Sequence, residues 1–152
     1  RARRGARAAV GRRLRGLSLG RVFTSPLRGA VRTCELAGLG GAACVDHDLV
    51  EWNYGDYEGR TSTEIRAGRP DWELFRDGCP GGETPDQVGA RADRVVGRLR
   101  GNPGDVAVFS SGHFLRVLAA RGGRSRWARA GASRWTPPAS ARWATSAAAR
   151  AR

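Results

Sequence analysis

The apolar and polar positions along this chain predict strands and helices that alternate. Residues 106–109 form a short continuous apolar run, which is typical of a strand buried on both faces of a parallel sheet. Ser110-Ser111-Gly112 interrupts this run, and apolar residues at helical spacing follow over residues 114–118. A strand, a tight turn and a helix make half of a βαβ unit. Such a unit is built on parallel strands.

Two more strands and a helix are predicted in the first half of the chain. Residues 20–24 and 43–45 are assigned as short strands. Between them, Ser25 is the predicted N-cap of a helix and Pro26 its first helical residue. We expect that helix to end near Gly38, because glycine is a favoured residue at a helix C-terminus.

Three helical segments are predicted in the second half. Thr61 and Glu64 have the spacing of a capping box at the start of a short helix, and residues 71–76 form another helical turn. Thr84 is predicted to cap a long helix that reaches Arg100. The apolar face of this long helix comprises Val88, Ala92, Val95, Val96 and Leu99.

The two ends of the chain differ from its middle. Residues 1–17 are predicted to form an amphipathic helix packed on the domain, with a helix on a membrane surface as the alternative. Residues 122–152 show no usable period, so we expect a disordered basic tail or a segment read out of frame. The domain is therefore assigned to residues 1–121. Because the chain starts with Arg1 and contains no Met, we expect that N-terminal residues are missing.

The net charge of +13 arises at the two ends. All 27 basic residues are Arg, and residues 1–16 and 122–152 each hold seven of them and no acid. That leaves 13 Arg against all 14 acids in residues 17–121, so the domain is nearly neutral. We therefore expect no specific nucleic-acid-binding face, and nucleic-acid binding through the Arg-rich ends ranks third among the candidate functions.

Cysteine spacing and hydropathy exclude further classes of site. The three cysteines are an odd number without a C-x-x-C spacing, so we expect neither a zinc site nor a disulfide framework. Reduced thiols and a cytoplasmic location are the expectation. No apolar run has the length of a membrane span, and we expect no membrane partner.

The turn after the strand at 106–109 is a candidate anion site. Backbone N–H groups at a helix N-terminus lack intrahelical partners, and the helix dipole favours negative charge there. His113 and Arg116 lie beside this turn and add polar groups. An ordinary strand-to-helix corner with a surface histidine is the alternative interpretation.

Four segments of the chain resemble one known family. They are S-P-L-R-G-A-V-R-T-C-E-L (25–36), L-V-E-W-N-Y-G-D-Y-E-G-R-T (49–61), C-P-G-G-E-T (79–84) and V-F-S-S-G-H-F-L-R-V-L (108–118). Their order and spacing resemble the histidine phosphatase superfamily, which includes cofactor-dependent phosphoglycerate mutases and many phosphomonoesterases. The resemblance covers residues 1–121. It implies an α/β fold, a three-layer α/β/α sandwich with a mainly parallel sheet. We expect the first strand, which carries the family's R-H-G motif, to lie before Arg1.

The resemblance also implies a phosphohistidine mechanism and assigns candidate residues. Glu51 stands where the family has the glutamate that protonates the leaving oxygen. The family's phosphate-binding arginine falls on Gly29, and its second catalytic histidine falls on Ser111. His113 matches a later, non-catalytic histidine of the motif. The candidate substrate-binding residues are therefore Arg28, Ser111, Gly112 and His113.

These assignments lead to one leading function and one main alternative. We expect a protein whose lineage hydrolyses phosphomonoesters and whose own activity is little or none, because the nucleophilic histidine is absent. The alternative is a non-catalytic module that binds a phosphorylated ligand or a partner through the turn at 110–113. The expected partner is a phosphorylated small molecule, with no cofactor and no metal. The substrate, the choice between mutase and phosphatase, and the oligomeric state stay open.

Overall fold

The computed structural model describes residues 18–122 of the chain. The predicted helix at 1–17 and residues 123–152 of the predicted tail lie outside the described residues. The strands form a sheet of three, namely β1 (Leu19–Thr24), β2 (Ala43–Val45) and β3 (Asp105–Phe109), in the order β2-β1-β3. Both pairings are parallel, with Val22 opposite Ala43 and Ala107. The predicted parallel α/β fold is thereby confirmed.

Five helices connect and cover these strands in residues 18–122. They are α1 (Arg28–Leu36), α2 (Ser62–Gly68), α3 (Leu74–Asp77), α4 (Pro85–Arg100) and α5 (Gly112–Gly122), with short 3₁₀ turns at Gly40–Ala42, His47–Leu49 and Gly55–Tyr57. The capping box of Thr61 with Glu64 is confirmed. Thr84 caps α4 as predicted, in a second capping box that it forms with Gln87.

The sheet buries apolar residues on both of its faces. Successive side chains of a strand point to opposite faces, so Val22 and Phe23 on β1 enter different clusters. On one face, α1 packs on a small cluster formed by Val22, Ala30, Cys34, Ala107 and Phe109. On the other face lies the larger cluster, which includes residues of α2, α3, α4 and α5. The fold therefore has helices on both sides of a central sheet.

Two helices begin later than predicted. Leu27, and not Ser25, is the N-cap residue of α1. The N–H of Ser25 donates to the carbonyl oxygen of Phe109 at 2.8 Å, which keeps Ser25 at the sheet edge, while its hydroxyl accepts from the N–H of Leu27. The turn predicted over 71–76 is helical only from Leu74, because the backbone of Glu73 is extended.

The parallel arrangement brings the carboxyl ends of the strands to one edge of the sheet. The N–H of Asp46, just after β2, donates to the carbonyl oxygen of Thr24 at the end of β1. With the bond from Ser25 to Phe109, this places the segments after all three strands side by side. Ligand sites of open α/β sheets lie outside this edge. No helix within residues 18–122 is long and apolar enough to cross a membrane.

Candidate active site

Glu51 lies at the N-terminus of α5. Its Oε1 accepts from the N–H of Phe114 at 2.9 Å and from its own neighbour Trp52 at 2.9 Å, and its Oε2 accepts from the N–H of His113 at 3.3 Å. The first N–H groups of a helix lack intrahelical acceptors, and the helix dipole favours an anion there. The anion at this turn is thus a carboxylate of the chain itself.

The segment before Glu51 is fastened to the end of β3. The hydroxyl of Ser110, which is buried, donates to the carbonyl oxygen of Leu49 at 2.5 Å. Leu49 is itself fully buried in the larger apolar cluster. Because one end of the segment is fixed in the core, Glu51 emerges beside the turn that follows β3.

His113 is the second residue of α5 and faces an aromatic side chain. Its Nδ1 lies 2.6 Å from the hydroxyl oxygen of Tyr54, and the two groups are hydrogen-bonded. Burial lowers the pKa of His113 below its ordinary value, and the negative charge of Glu51 opposes this shift only in part. Burial also raises the pKa of Tyr54, with help from Glu51 and Glu58. At pH 7 the pair therefore consists of a neutral imidazole and a neutral phenol.

Arg91 on α4 holds the backbone on both sides of Val50. Its Nη1 donates to the carbonyl oxygens of Asp48 and Val50, each at 2.8 Å, and its Nη2 donates to that of Glu51 at 3.3 Å. Its Nε and Nη2 also form a two-bond ion pair with the carboxylate of Glu83, at 2.8 and 2.7 Å. One buried guanidinium therefore links the loop of Glu51 to the loop of Glu83.

Arg91 also contacts the helix on which Glu51 rests. Its Cζ lies 4.3 Å from the centroid of the Phe114 ring, a distance suited to a cation–π interaction. The N–H of the same Phe114 donates to Glu51. Arg91 thus contacts the loop at 48–51, helix α5 and the loop of Glu83, which together position the carboxylate of Glu51.

Two further arginines of α4 bind the start of this segment. Arg94 forms an ion pair with Asp48 at 2.8 Å, and Arg98 bridges Asp46 at 2.9 Å and Asp48 at 2.7 Å. The hydrogen bond from Arg94 is the main cause that lowers the pKa of Asp48 to about 2. These pairs are more exposed than the ion pair of Arg91, so each contributes less to stability.

The loops that carry Tyr54 and Glu83 are in direct backbone contact. The N–H of Glu83 donates to the carbonyl oxygen of Asn53, and the N–H of Asn53 donates to the carboxylate of Glu83, both at 2.9 Å. A Cβ on Gly82 would lie only 2.2 Å from the carbonyl oxygen of Asn53. This close approach explains why the G-G-E sequence has glycine at position 82.

The remaining candidate residues lie at the same edge of the sheet, with different surroundings. Ser111 is buried, and its hydroxyl has no hydrogen-bond partner among residues 18–122. Gly112 begins α5. Arg28 begins α1 and is exposed, and its side chain forms no hydrogen bond or ion pair within the described part of the chain. The structure thus brings Glu51, Gly112 and His113 together, whereas no hydrogen bond or ion pair of the Arg28 side chain within residues 18–122 joins it to them.

Comparisons with known proteins identify the family. The sequence profile described as the histidine phosphatase superfamily (branch 1) matches residues 2–144. An acid phosphatase of Mycobacterium tuberculosis is 42% identical over 102 residues, which are 66% of this chain and 50% of that protein. The sedoheptulose 1,7-bisphosphatase of Saccharomyces cerevisiae is 36% identical over 124 residues, 65% of this chain and 46% of that protein. The chain belongs to the histidine phosphatase superfamily.

A solved structure supports the same assignment. The product of an open reading frame of Mycobacterium tuberculosis, which has been characterised functionally, superposes with a TM-score of 0.72 at 40% identity. The match covers 78% of this chain and 63% of that one. The chain spans about half the length of the two curated relatives that it matches. The profile match also continues past residue 121, where the sequence pattern predicts the end of the domain.

Within the histidine phosphatase motifs, two positions carry unexpected residues. Gly29 and Ser111 stand where the family resemblance places an arginine and a histidine. A Cβ built on Gly29 would meet no atom within 4 Å, so packing does not require glycine there. Limited space therefore does not account for the glycine at position 29.

Sequence reasoning missed Arg91 and Tyr54, although a signal existed for the first. Arg91 lies three residues after Val88 and directly before Ala92, so it falls on the apolar face of α4. A charged residue on such a face is rarely buried unless it is paired. That signal points to a buried ion pair, whose partner only the fold reveals. Tyr54 lies in the segment at 49–61 that resembles the family, but the resemblance assigns it no role.

Proposed function

We propose that this chain binds a phosphomonoester at the carboxyl end of its sheet and hydrolyses it poorly or not at all. The observation that carries the proposal is the position of Glu51, held by the N–H groups of His113 and Phe114 next to the turn at Ser111-Gly112. The resemblance makes Glu51 the acid that protonates the leaving oxygen. Its phosphatase relatives in two organisms support a phosphomonoester as the ligand class.

The turn before α5 supplies donors for the phosphoryl oxygens in this proposal. The N–H groups of Ser111 and Gly112, and the hydroxyl of Ser111, have no acceptor among residues 18–122. Backbone donors at a helix N-terminus suit a phosphate. Arg28 follows the corner at Ser25, which is bonded to the end of β3, and in this proposal it supplies a guanidinium to the same ligand.

The proposed lack of turnover follows from the residues at the catalytic positions. The 152 residues contain two histidines, His47 and His113, and neither stands in an R-H-G sequence. Without the nucleophile, the phosphohistidine route is closed. With Gly29 and Ser111 in place of a positioned arginine and histidine, stabilisation of the transition-state charge is lost as well.

Two measurements on the 152-residue protein test the two halves of the proposal. Release of inorganic phosphate from phenyl phosphate is compared between the wild type and Glu51→Gln, with circular dichroism to show that both are folded. We expect the two rates to be equal and close to the buffer blank. A wild-type rate well above that of the variant would show that the chain is an active phosphatase.

Binding is measured separately, by calorimetric titration with inorganic phosphate. We expect a saturable site in the wild type, and weaker binding in Gly112→Pro, which removes a proposed donor at the first position of α5, where proline is tolerated. Equal binding in both proteins would mean that the phosphate binds elsewhere.

A further inference from the structure

Four rings pack together beside Glu51 and are called here the aromatic shelf, defined as Trp52, Tyr54, Phe75 and His113. Trp52 is buried, Tyr54 and His113 are half-buried, and Phe75 is exposed. The Phe75 ring lies edge-on to Trp52 at 5.7 Å between centroids and to His113 at 5.7 Å. Tyr54 lies edge-on to His113 at 5.8 Å. The rings are thus packed on one another in the geometry that aromatic pairs prefer.

The aromatic shelf adjoins the carboxylate on two sides. The N–H groups of Trp52 and His113 both donate to Glu51. Phe75 contacts the rings of these same two residues. Phe75 therefore packs on the two residues whose N–H groups hold Glu51.

Phe75 is accessible to such a group. It is 40% exposed, although large aromatic side chains in contact with a core are usually covered. The large hydrophobic residues that are exposed within residues 18–122 are Leu27, Val45 and Phe75. Among these three, Phe75 packs on the residues whose N–H groups hold Glu51. Its exposed face is a surface on which another ring can pack.

The aromatic shelf offers few free hydrogen-bonding groups. The indole N–H of Trp52 donates to the carbonyl oxygen of Glu83 at 2.9 Å. The hydroxyl of Tyr54 is engaged with Nδ1 of His113. A ligand with many hydroxyl groups would therefore leave some of them unpaired, which is unfavourable, whereas an aromatic ring loses nothing.

We infer that the aromatic shelf receives the organic part of an aryl phosphomonoester, which makes Phe75 a specificity-determining residue. The inference rests on the proposed function, since it places the phosphate at the turn before α5. It adds that an ester binds more tightly when its organic group is an aromatic ring. The phosphate and the ring then have separate binding surfaces, so their contributions can be measured separately.

The test compares three ligands by calorimetry on the full 152-residue chain. Inorganic phosphate reports the phosphate site alone, glycerol 2-phosphate adds a polyol, and phenyl phosphate adds a ring. The salt concentration is set high enough to screen the Arg-rich ends. We expect phenyl phosphate to bind about tenfold more tightly than glycerol 2-phosphate, from the area of one ring buried on the shelf.

Phe75→Ala is expected to reduce that tenfold preference to about twofold while the affinity for inorganic phosphate is unchanged. Phe75→Leu, which keeps an apolar side chain, guards against loss of folding and is expected to retain part of the preference. Val45→Ala is the matched control, because Val45 is also an exposed apolar residue, at 56%, and belongs to β2 and not to the aromatic shelf.

The outcomes separate the inference from the proposed function. If inorganic phosphate binds but the two esters bind equally, or if Phe75→Ala keeps the preference, the inference is wrong and the proposed function stands. If none of the three ligands binds, the proposed function is wrong, and the inference that rests on it is refuted with it.

Discussion

Replacement of Arg91 by methionine tests how the candidate acid is positioned. The variant keeps an unbranched stem of similar length over the Phe114 ring but removes every hydrogen bond of the guanidinium. The carboxylate of Glu83 then loses its ionic partner and keeps the N–H of Asn53 as a donor. Three carbonyl oxygens of the loop at 48–51 also lose the donor that Arg91 supplies. This is the removal of one partner from a buried ion pair.

The size of the effect follows from the burial of the pair. Removal of one partner of a buried ion pair costs about 3–5 kcal/mol. The side chain of Arg91 is 8% exposed and that of Glu83 is 21% exposed, so water can partly solvate the remaining carboxylate. We therefore expect Arg91→Met to lower the free energy of unfolding by about 3 kcal/mol, the lower end of that range.

Urea denaturation followed by circular dichroism measures this difference. Arg94→Met is the matched control, because Arg94 lies on the same helix and its side chain is 57% exposed in its ion pair with Asp48. We expect the control to lose much less stability than Arg91→Met, because water screens an exposed ion pair. Adding Glu83→Gln to Arg91→Met removes the uncompensated charge, so the double variant should lose less than the sum of the two single ones. Equal losses in Arg91→Met and Arg94→Met would refute the reasoning.

Three other predictions address the loops, the acid and the histidine. Gly82→Ala is expected to lower the free energy of unfolding by more than about 2 kcal/mol, because the new Cβ would overlap the backbone of the neighbouring loop. Gly97→Ala in α4 should raise the free energy of unfolding by about 0.5–1 kcal/mol, because a Cβ there meets no atom within 4 Å. Thermal denaturation measures both effects. Glu51→Gln should cost about 1–2 kcal/mol in the same assay, because a neutral amide is a weaker acceptor at a helix N-terminus. Because burial lowers the pKa of His113, the unfolded chain takes up a proton at a higher pH than the folded chain does. The contribution of His113 to the free energy of unfolding is therefore fully present above its ordinary pKa of 6.5 and is lost as the pH falls below that value. Urea denaturation at several pH values should show this decrease in stability in the wild type and a smaller decrease in His113→Gln. An identical slope in both proteins would contradict the assignment.

Local signals in the sequence predict most of the elements. The capping box at Thr61 and the cap at Thr84 depend on residues within one helical turn, and both are found in the structure. The start of α1 does not depend on local residues alone. The N–H of Ser25 is bonded to Phe109 of a distant strand, and no propensity of Ser25 reports that bond.

The site shows the same division between local and distant information. The turn after β3 is predicted as an anion site, and the motif marks Glu51 as the acid, but the sequence does not connect the two. In the structure the carboxylate of Glu51 itself occupies the N–H groups of His113 and Phe114. The sequence does not reveal the contacts of Arg91 with this loop either, because its acceptors there are backbone carbonyl oxygens, which every residue has.

The most direct test of the account follows the backbone N–H signals of the ¹⁵N-labelled chain by NMR during titration with inorganic phosphate. We predict that the signals of Ser111 and Gly112, whose N–H groups have no acceptor within residues 18–122, shift and saturate. Those of His113 and Phe114, already bonded to Glu51, should move much less. If the signals of Ser111 and Gly112 do not respond, or if only residues in the Arg-rich ends respond, the proposed phosphate site is wrong.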